Sequence, residues 1–231
     1  MPEVSVLSSQ VLPELEFVID LGPQAPTLDS FERCFSALVA TCDMGVRIAH
    51  AGPPRAWLPS DLDNRISATP DGEWTGEFLS YEILQVRRTS LASPWETVLT
   101  VAASRSYVVL YGAVALIAVE RILRMIMDWQ THRVELEARR REIEVGDFSA
   151  DTQGAEDGVV AVADEGDSVT APDIPMAVGR FVQQNSLRGA IPAEIEDDYI
   201  QHVVTLSKHR ILRVELRLGR DEVDGGSPGT G

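Results

Sequence analysis

The stretch whose reading decides the fold runs from Ser93 to Gln130, SPWETVLTVAASRSYVVLYGAVALIAVERILRMIMDWQ. Ser93, Pro94 and Glu96 stand as N-cap, N1 and N3 of a helix, an arrangement in which side chains satisfy the free amides of the first turn. The residues that follow hold one glycine and no proline, so a long helix is expected over 93–145. Ser106 to Val119 is fourteen residues without a charge. That length alone suits a buried core helix or a partial membrane insertion better than a span.

The flanks shift the reading. Arg105 precedes the run, and Arg121 and Arg124 follow it. The distance from Arg105 to Arg124 is roughly 28 Å at helical rise, against a hydrocarbon thickness of about 30 Å. Long arginine side chains at both ends can reach headgroups while their stems stay apolar. Glu120, the one difficulty, is four residues before Arg124 and can pair with it. Tyr107, Tyr111 and Trp129 supply interfacial aromatics. Two readings stand open for residues 106–127: a transmembrane or deeply inserted helix, and the core of a domain or an oligomer. The missing polar face of Val108 to Val119, broken only by Tyr111 and Gly112, favours the first.

Beyond Gln130 the pattern THRVELEARRREIEV is polar all round and rich in helix formers. Ile122, Ile126, Trp129, Arg133, Leu136, Arg140 and Ile143 step by four and three, a heptad with arginine at two seam positions. It reads as a polar stalk, or as a weak coiled coil that self-associates. The cluster Arg133, Arg139, Arg140 and Arg141 places this end on the cytoplasmic side of a membrane. Arg87, Arg88 and Arg105 on the other flank oppose that assignment.

Charge sharpens the division. The 231 residues carry 36 acids against 20 bases, a net charge of −16. This excludes a general nucleic-acid binder, which needs a basic footprint. Gly146 to Asp173 holds eight acids and no base, with Phe148 as its only aromatic. Such composition cannot offset the entropy of ordering, so 146–173 is expected to be a disordered acidic linker, or an arm for a basic partner. Gln85 to Arg141, in contrast, carries nine bases and five acids, a reversal that anionic lipid would favour. Nineteen of the twenty bases are arginine, which reads as the codon bias of a high-GC bacterial genome.

On the N-terminal side, MPEVSVLSSQ has an early acid and no basic region before an apolar run, so it does not read as a secretory signal. Leu15, Phe17, Ile19 and Leu21 alternate with Glu14, Glu16 and Asp20 as a half-buried strand closed by Gly22 and Pro23. Leu28, Phe31, Phe35, Leu38, Val39 and Cys42 form a helical stripe, with Asp29 and Glu32 as a capping-box variant. Met44 to Gly76 reads as loop-rich, with one short helix near Ser60 to Ile66, and Phe78 to Arg88 as the next strand. On the C-terminal side, Pro192 opens an acidic helix start with Ile195, Tyr199, Val203 and Leu206 on one face. Leu212, Val214, Leu216 and Leu218 then alternate as a strand.

Chemical signals are few. Cys34 and Cys42 lie roughly 12 Å apart along a helix, too far for a disulfide, and the stripe makes Cys42 a core residue rather than a nucleophile. Asp61-Leu62-Asp63-Asn64 resembles half a calcium loop without its downstream glycine and glutamate, and reads as a surface turn. Asp198, His202 and His209 are spaced for a metal pair only if their helix continues, which the strand pattern from Ile211 argues against. His50 and His132 have no motif around them. No nucleophile elbow, phosphate loop, dinucleotide fingerprint or zinc-protease signature occurs. The sequence therefore assigns no catalytic, cofactor-binding or metal-ligating residue, and no cofactor or small-molecule substrate.

The expected organisation is α+β: a head over 1–92, a long helix over 93–145, the linker 146–173, a small C-terminal α+β module over 174–224 and a disordered tail 225–231. About fifty residues give the module a marginal core, so it should dock on the N-terminal sheet, a copy of itself or a partner. The leading functional expectation is a non-enzymatic membrane-associated protein with membrane lipid and a protein partner, or a second copy, as its contacts. The alternative is a soluble assembly or scaffold subunit using 106–127 as an oligomer core, and the third is an enzyme of unknown reaction.

Overall fold

The computed structural model describes residues 12–22, 27–68, 83–90, 94–102, 106–150, 174–186 and 189–218. The linker expected over 146–173 is helical in its first five residues, 146–150, and from 151 onward lies outside these residues, as does the tail 225–231. The chain is α+β. Strand β1 (Glu14–Asp20) leads to helix α1 (Leu28–Ala51), a 3-10 turn (Arg55–Trp57) and α2 (Ser60–Ala68). Strands β2 (Leu84–Ser90) and β3 (Trp95–Val101) precede the long helix α3 (Ser106–Ala150). Then come α4 (Ile174–Ser186), a 3-10 turn (Ala193–Ile195), α5 (Glu196–Ser207) and β4 (Arg210–Arg217).

The four strands form one sheet in the order β2–β3–β1–β4, with every neighbouring pair antiparallel. This is the order and direction of a split β-α-β arrangement, with α1 and α3 as its two crossovers and α4 and α5 inserted before the last strand. The C-terminal strand thus completes the N-terminal sheet: β4 pairs along β1 from Glu14↔Arg217 to Asp20↔Arg210.

Residues 94–102 depart from the expected helix. Trp95 to Val101 is a central strand, and the helix begins at Ser106. Four of its seven residues, Thr97, Val98, Thr100 and Val101, are β-branched and suit a pleated surface. An N-cap contributes about 1 kcal/mol, which cannot match a strand flanked on both sides and burying a tryptophan. Trp95 is fully buried, its indole N–H donates to Thr89 Oγ1 at 2.8 Å, and Phe17 and Phe31 meet its ring edge-on at 6.2 and 5.3 Å. Glu96, expected to cap a helix, pairs across strands with Arg88. The strand expected over Phe78 to Arg88 is found as Leu84–Ser90, and its portion 78–82 lies outside the described residues.

Leu15, Phe17 and Ile19 of β1 and Trp95, Thr97, Leu99 and Val101 of β3 share the buried face of the sheet. The opposite face carries cross-strand ion pairs, Arg87 with Glu14 and Arg213 and Arg217 with Glu16. The regular alternation expected in β4 is broken. A register shift between Val18 and Ile19 sets Ile211 opposite Ile19, so Ile211 is buried and Leu212 is left 44% exposed.

Helix α1 runs nine residues past Cys42, through sequence expected to be loop. Its N-cap is Thr27, whose hydroxyl accepts from Ser30 N–H at 3.2 Å, while Asp29 sits in the first turn and pairs with Arg33. The glycine that reads as a breaker is a contact point. A Cβ on Gly45 would stand 2.6 Å from Val119 Cγ2 and 2.9 Å from the Ala115 carbonyl oxygen. Gly112 performs the same service for α3 over the sheet, where a Cβ would stand 2.3 Å from Val101 Cγ1. The helix ends at Gly52, which holds φ at 86°.

These contacts decide between the two readings of 106–127. Ala113 to Val119, Ile122, Leu123 and Ile126 are buried in one core with Leu38, Met44, Ile48, Leu99 and Leu206. The run lacks a polar face because α1, α5 and the sheet surround it. Among the described residues no helix is long and apolar enough to cross a membrane, so the single span is replaced by a core helix. The same packing places the apolar run inside its own chain rather than at the centre of an oligomer. Glu120 and Arg124 pair as their spacing predicts.

Candidate partner-binding groove

Helix α3 is 45 residues long, roughly 68 Å at 1.5 Å per residue, and its surroundings change partway along. Residues 110–119 are buried on every side and Ile122, Leu123 and Ile126 continue one buried face, with Arg121 and Arg124 exposed opposite it, whereas Thr131 to Glu135 are all exposed. The second half therefore leaves the body as an arm. Its sequence explains this: the seam Ile122, Ile126, Trp129 ends at Gln130, and Thr131-His132-Arg133 supplies no apolar residue to continue it.

Gln130 sits at the exit and ties the arm to the sheet. Its Nε2 donates to the carbonyl oxygens of Ser207 at 3.0 Å and His209 at 2.7 Å, and its Oε1 accepts from Ile211 N–H at 3.0 Å. One side-chain amide thus satisfies three backbone groups in the turn from α5 into β4, which would otherwise need other partners at the sheet edge. A groove of about 550 Å3 opens beside it, lined from the arm by Trp129, Arg133, Val134 and Glu137 and from the body by Lys208, Arg210 and Leu212. Arg133 lies over the Trp129 ring at 5.6 Å from its centre and donates to Glu137 at 3.0 Å. Val134 is 64% exposed and Leu212 44%, two large apolar side chains open to solvent in one groove.

On the body side of the groove the charge opposes that of the whole chain, while Glu135 and Glu137 line the arm side. Lys208 and Arg210 are exposed, and neither forms an ion pair with a described residue. Burial, with the Lys208 charge behind it, holds the His209 imidazole below its ordinary value. The base of the groove thus presents fixed cations from Lys208 and Arg210 beside a neutral histidine at pH 7.

The residues singled out from sequence fall elsewhere. Cys34 and Cys42 are free and buried in the core, each thiol pushed up to about 12, by burial in both cases and further by Asp43 at Cys42. A thiol held protonated in this way is not a nucleophile at neutral pH. Asp43 instead joins two helices, accepting from Arg47 Nε at 2.9 Å and from the Tyr199 hydroxyl of α5. Asp61 and Asp63 lie in α2, where Asp63 faces Arg55 at 4.0 Å. Asp198 and His202 are on α5, while His209 follows its end, and among the described residues no three metal-ligating side chains gather. The His50 ring lies tilted beside that of Tyr111, 6.3 Å between centres.

Sequence reading missed Gln130 and the groove. A lone glutamine carries no motif, and the available signal was positional: the last residue before an apolar seam gives way to an all-polar helix. No protein family, curated protein or solved structure matches this chain.

Proposed function

We propose that this chain is a non-enzymatic interaction protein, whose α+β body holds the base of a helical arm and whose groove at that base takes another polypeptide. The observation that carries the reading is the change of surroundings along α3, from burial on all sides over 110–119, through a single buried face down to Ile126, to exposure on all sides over 131–135. A helix that leaves a core and is polar all round bridges or displays rather than packs. The groove supports the same reading: its volume of about 550 Å3 lies in the range of sites that hold ligands, and it exposes Val134 and Leu212. The core position of 106–127 favours this reading over membrane anchoring.

A photoreactive amino acid placed at Val134 or Leu212 in the producing cell tests it. A covalent polypeptide adduct is expected at both positions and not at Asn64, exposed on α2. Lipid adducts alone, or no adduct at either groove position, would overturn the reading.

A further inference from the structure

We infer that the groove takes an acidic, extended segment of another protein, which adds as a further strand along the outer edge of β4. The inference rests on the interaction reading above and names its partner class. Three observations carry it.

The first is the edge itself. β4 is terminal in the sheet, and among the described residues no strand lies on its outer side. Gln130 already shows what this edge accepts: its side-chain amide donates to and accepts from the strand entrance as a neighbouring peptide group would. An added strand continues that pattern with main-chain hydrogen bonds. The register shift that guards the entrance lies at Leu212, leaving Arg213 to Arg217 in regular pairing with β1.

Charge is the second. From 208 to 217 the chain carries Lys208, Arg210, Arg213 and Arg217 against Glu215, with Arg213 and Arg217 paired to Glu16, and the adjoining arm carries Arg133, Arg139, Arg140 and Arg141 against Glu135, Glu137 and Glu142. Lys208 and Arg210 are exposed at the groove without a described ion-pair partner. Such a surface in a chain of net charge −16 selects an acidic ligand. It also disfavours a second copy, since pairing β4 with itself sets a strand of three arginines and one glutamate against its own like.

The third is the placing of apolar contacts. A strand offers alternate side chains to each side, and Leu212 and Val134 give one of those sides an apolar surface beside the cations. The ligand pattern that fits alternates apolar and acidic residues.

The test uses the full chain and a fluorescent twelve-residue peptide alternating valine and glutamate. Saturable binding is expected, weakening at least tenfold when NaCl is raised from about 50 to about 500 mM, because exposed charges are screened. A valine–lysine peptide should not bind. The same acidic peptide N-methylated at every amide should bind at least tenfold more weakly, since neither of its edges can then donate to the strand. Lys208→Glu with Arg210→Glu, both exposed, should remove binding while leaving the thermal midpoint close to wild type. Equal binding of the lysine peptide, full binding of the N-methylated peptide, or no binding of the acidic peptide would sink the inference. If the acidic peptide fails while a different polypeptide, or a second copy, is trapped at Leu212 in cells, the interaction reading survives and this partner class falls.

Discussion

Gln130→Met is the perturbation that bears most directly on how the arm is held. Methionine keeps the length and packing of the side chain but removes every hydrogen bond it makes. The Ser207 and His209 carbonyls and the Ile211 amide each lose a partner at 3.0 Å or less. Each such bond contributes about 1 kcal/mol net, and the site is half-buried, so water replaces part of the loss. A destabilisation of about 2 kcal/mol is expected, which for a urea slope near 2 kcal/mol per molar shifts the midpoint by roughly 1 M. The second assay is local: amide exchange at Ile211 should accelerate, while exchange at Val98 and Leu99 in the centre of the sheet follows global stability only. Gln130→Glu separates hydrogen bonding from packing, because it keeps the acceptor for Ile211 but sets a negative charge against two carbonyl oxygens. It should be at least as destabilising as methionine at pH 7. If both variants unfold within about 0.5 kcal/mol of wild type, and Ile211 exchanges unchanged, the glutamine does not couple arm to body and the argument is wrong.

Gly112→Ala should destabilise by about 1–3 kcal/mol despite the gain in helix propensity, because Val101 sits in a central strand and cannot retreat. Thermal melts check it, and Val101→Ala in the same chain should recover part of the loss; a raised midpoint for the single variant contradicts the close crossing. Cys34 and Cys42 should resist a thiol-reactive dye in the folded protein and react fully in denaturant, so rapid labelling of the native chain at pH 8 would refute their burial. Burial raises both thiols from 9.0 to about 12, so the folded state favours the protonated form. That contribution is complete below about pH 9 and is lost as pH rises through about 12. Denaturant titrations should therefore show stability falling from about pH 9 upward, and a rise over that window would contradict the assignment. Tyr199→Phe removes the hydroxyl donor to Asp43 and should cost about 1 kcal/mol, discounted for the partial exposure of Asp43, with no change in the thiol labelling.

Much of the fold is legible in the residues where a pattern is local. The alternation of Leu15, Phe17 and Ile19 against Glu14, Glu16 and Asp20 gives β1 its buried and charged faces, as observed. Residues 60–66 and Pro192 onward likewise lie where helical or 3-10 structure forms. The failures come where a distant partner outweighs a local signal. Ser93-Pro94-Trp95-Glu96 carries every mark of a helix start, yet β1 and β2 claim residues 95–101 from both sides. Gly45 reads as a stop until Val119 and Ala115 are seen against it. Leu212 belongs by sequence to the apolar face of β4, and a bulge that only the pairing with Val18 and Ile19 defines turns it outward. The groove was invisible for the same reason: Trp129 and Arg133 are separated from Lys208 and Arg210 by more than seventy residues.

The division of α3 also explains how a polar arm is stable at all. A helical segment of this composition, standing alone in water, would have to form its first turn for a single hydrogen bond and would be marginal below about 15 residues. Here the nucleus forms inside the body, where Val114 to Val119, Ile122 and Ile126 are buried. The arm only propagates a helix already begun, helped by pairs such as Arg133 with Glu137. The weak point is then the junction, where burial ends and propagation must proceed without it. Gln130 stands at that junction and fixes the arm's base to the same backbone that opens β4. A ligand strand seated on β4 would therefore touch the element that orients the arm. Binding at the groove and the direction of the arm are on this reasoning one equilibrium, and any partner that prefers one arm orientation must bind the groove more tightly in it.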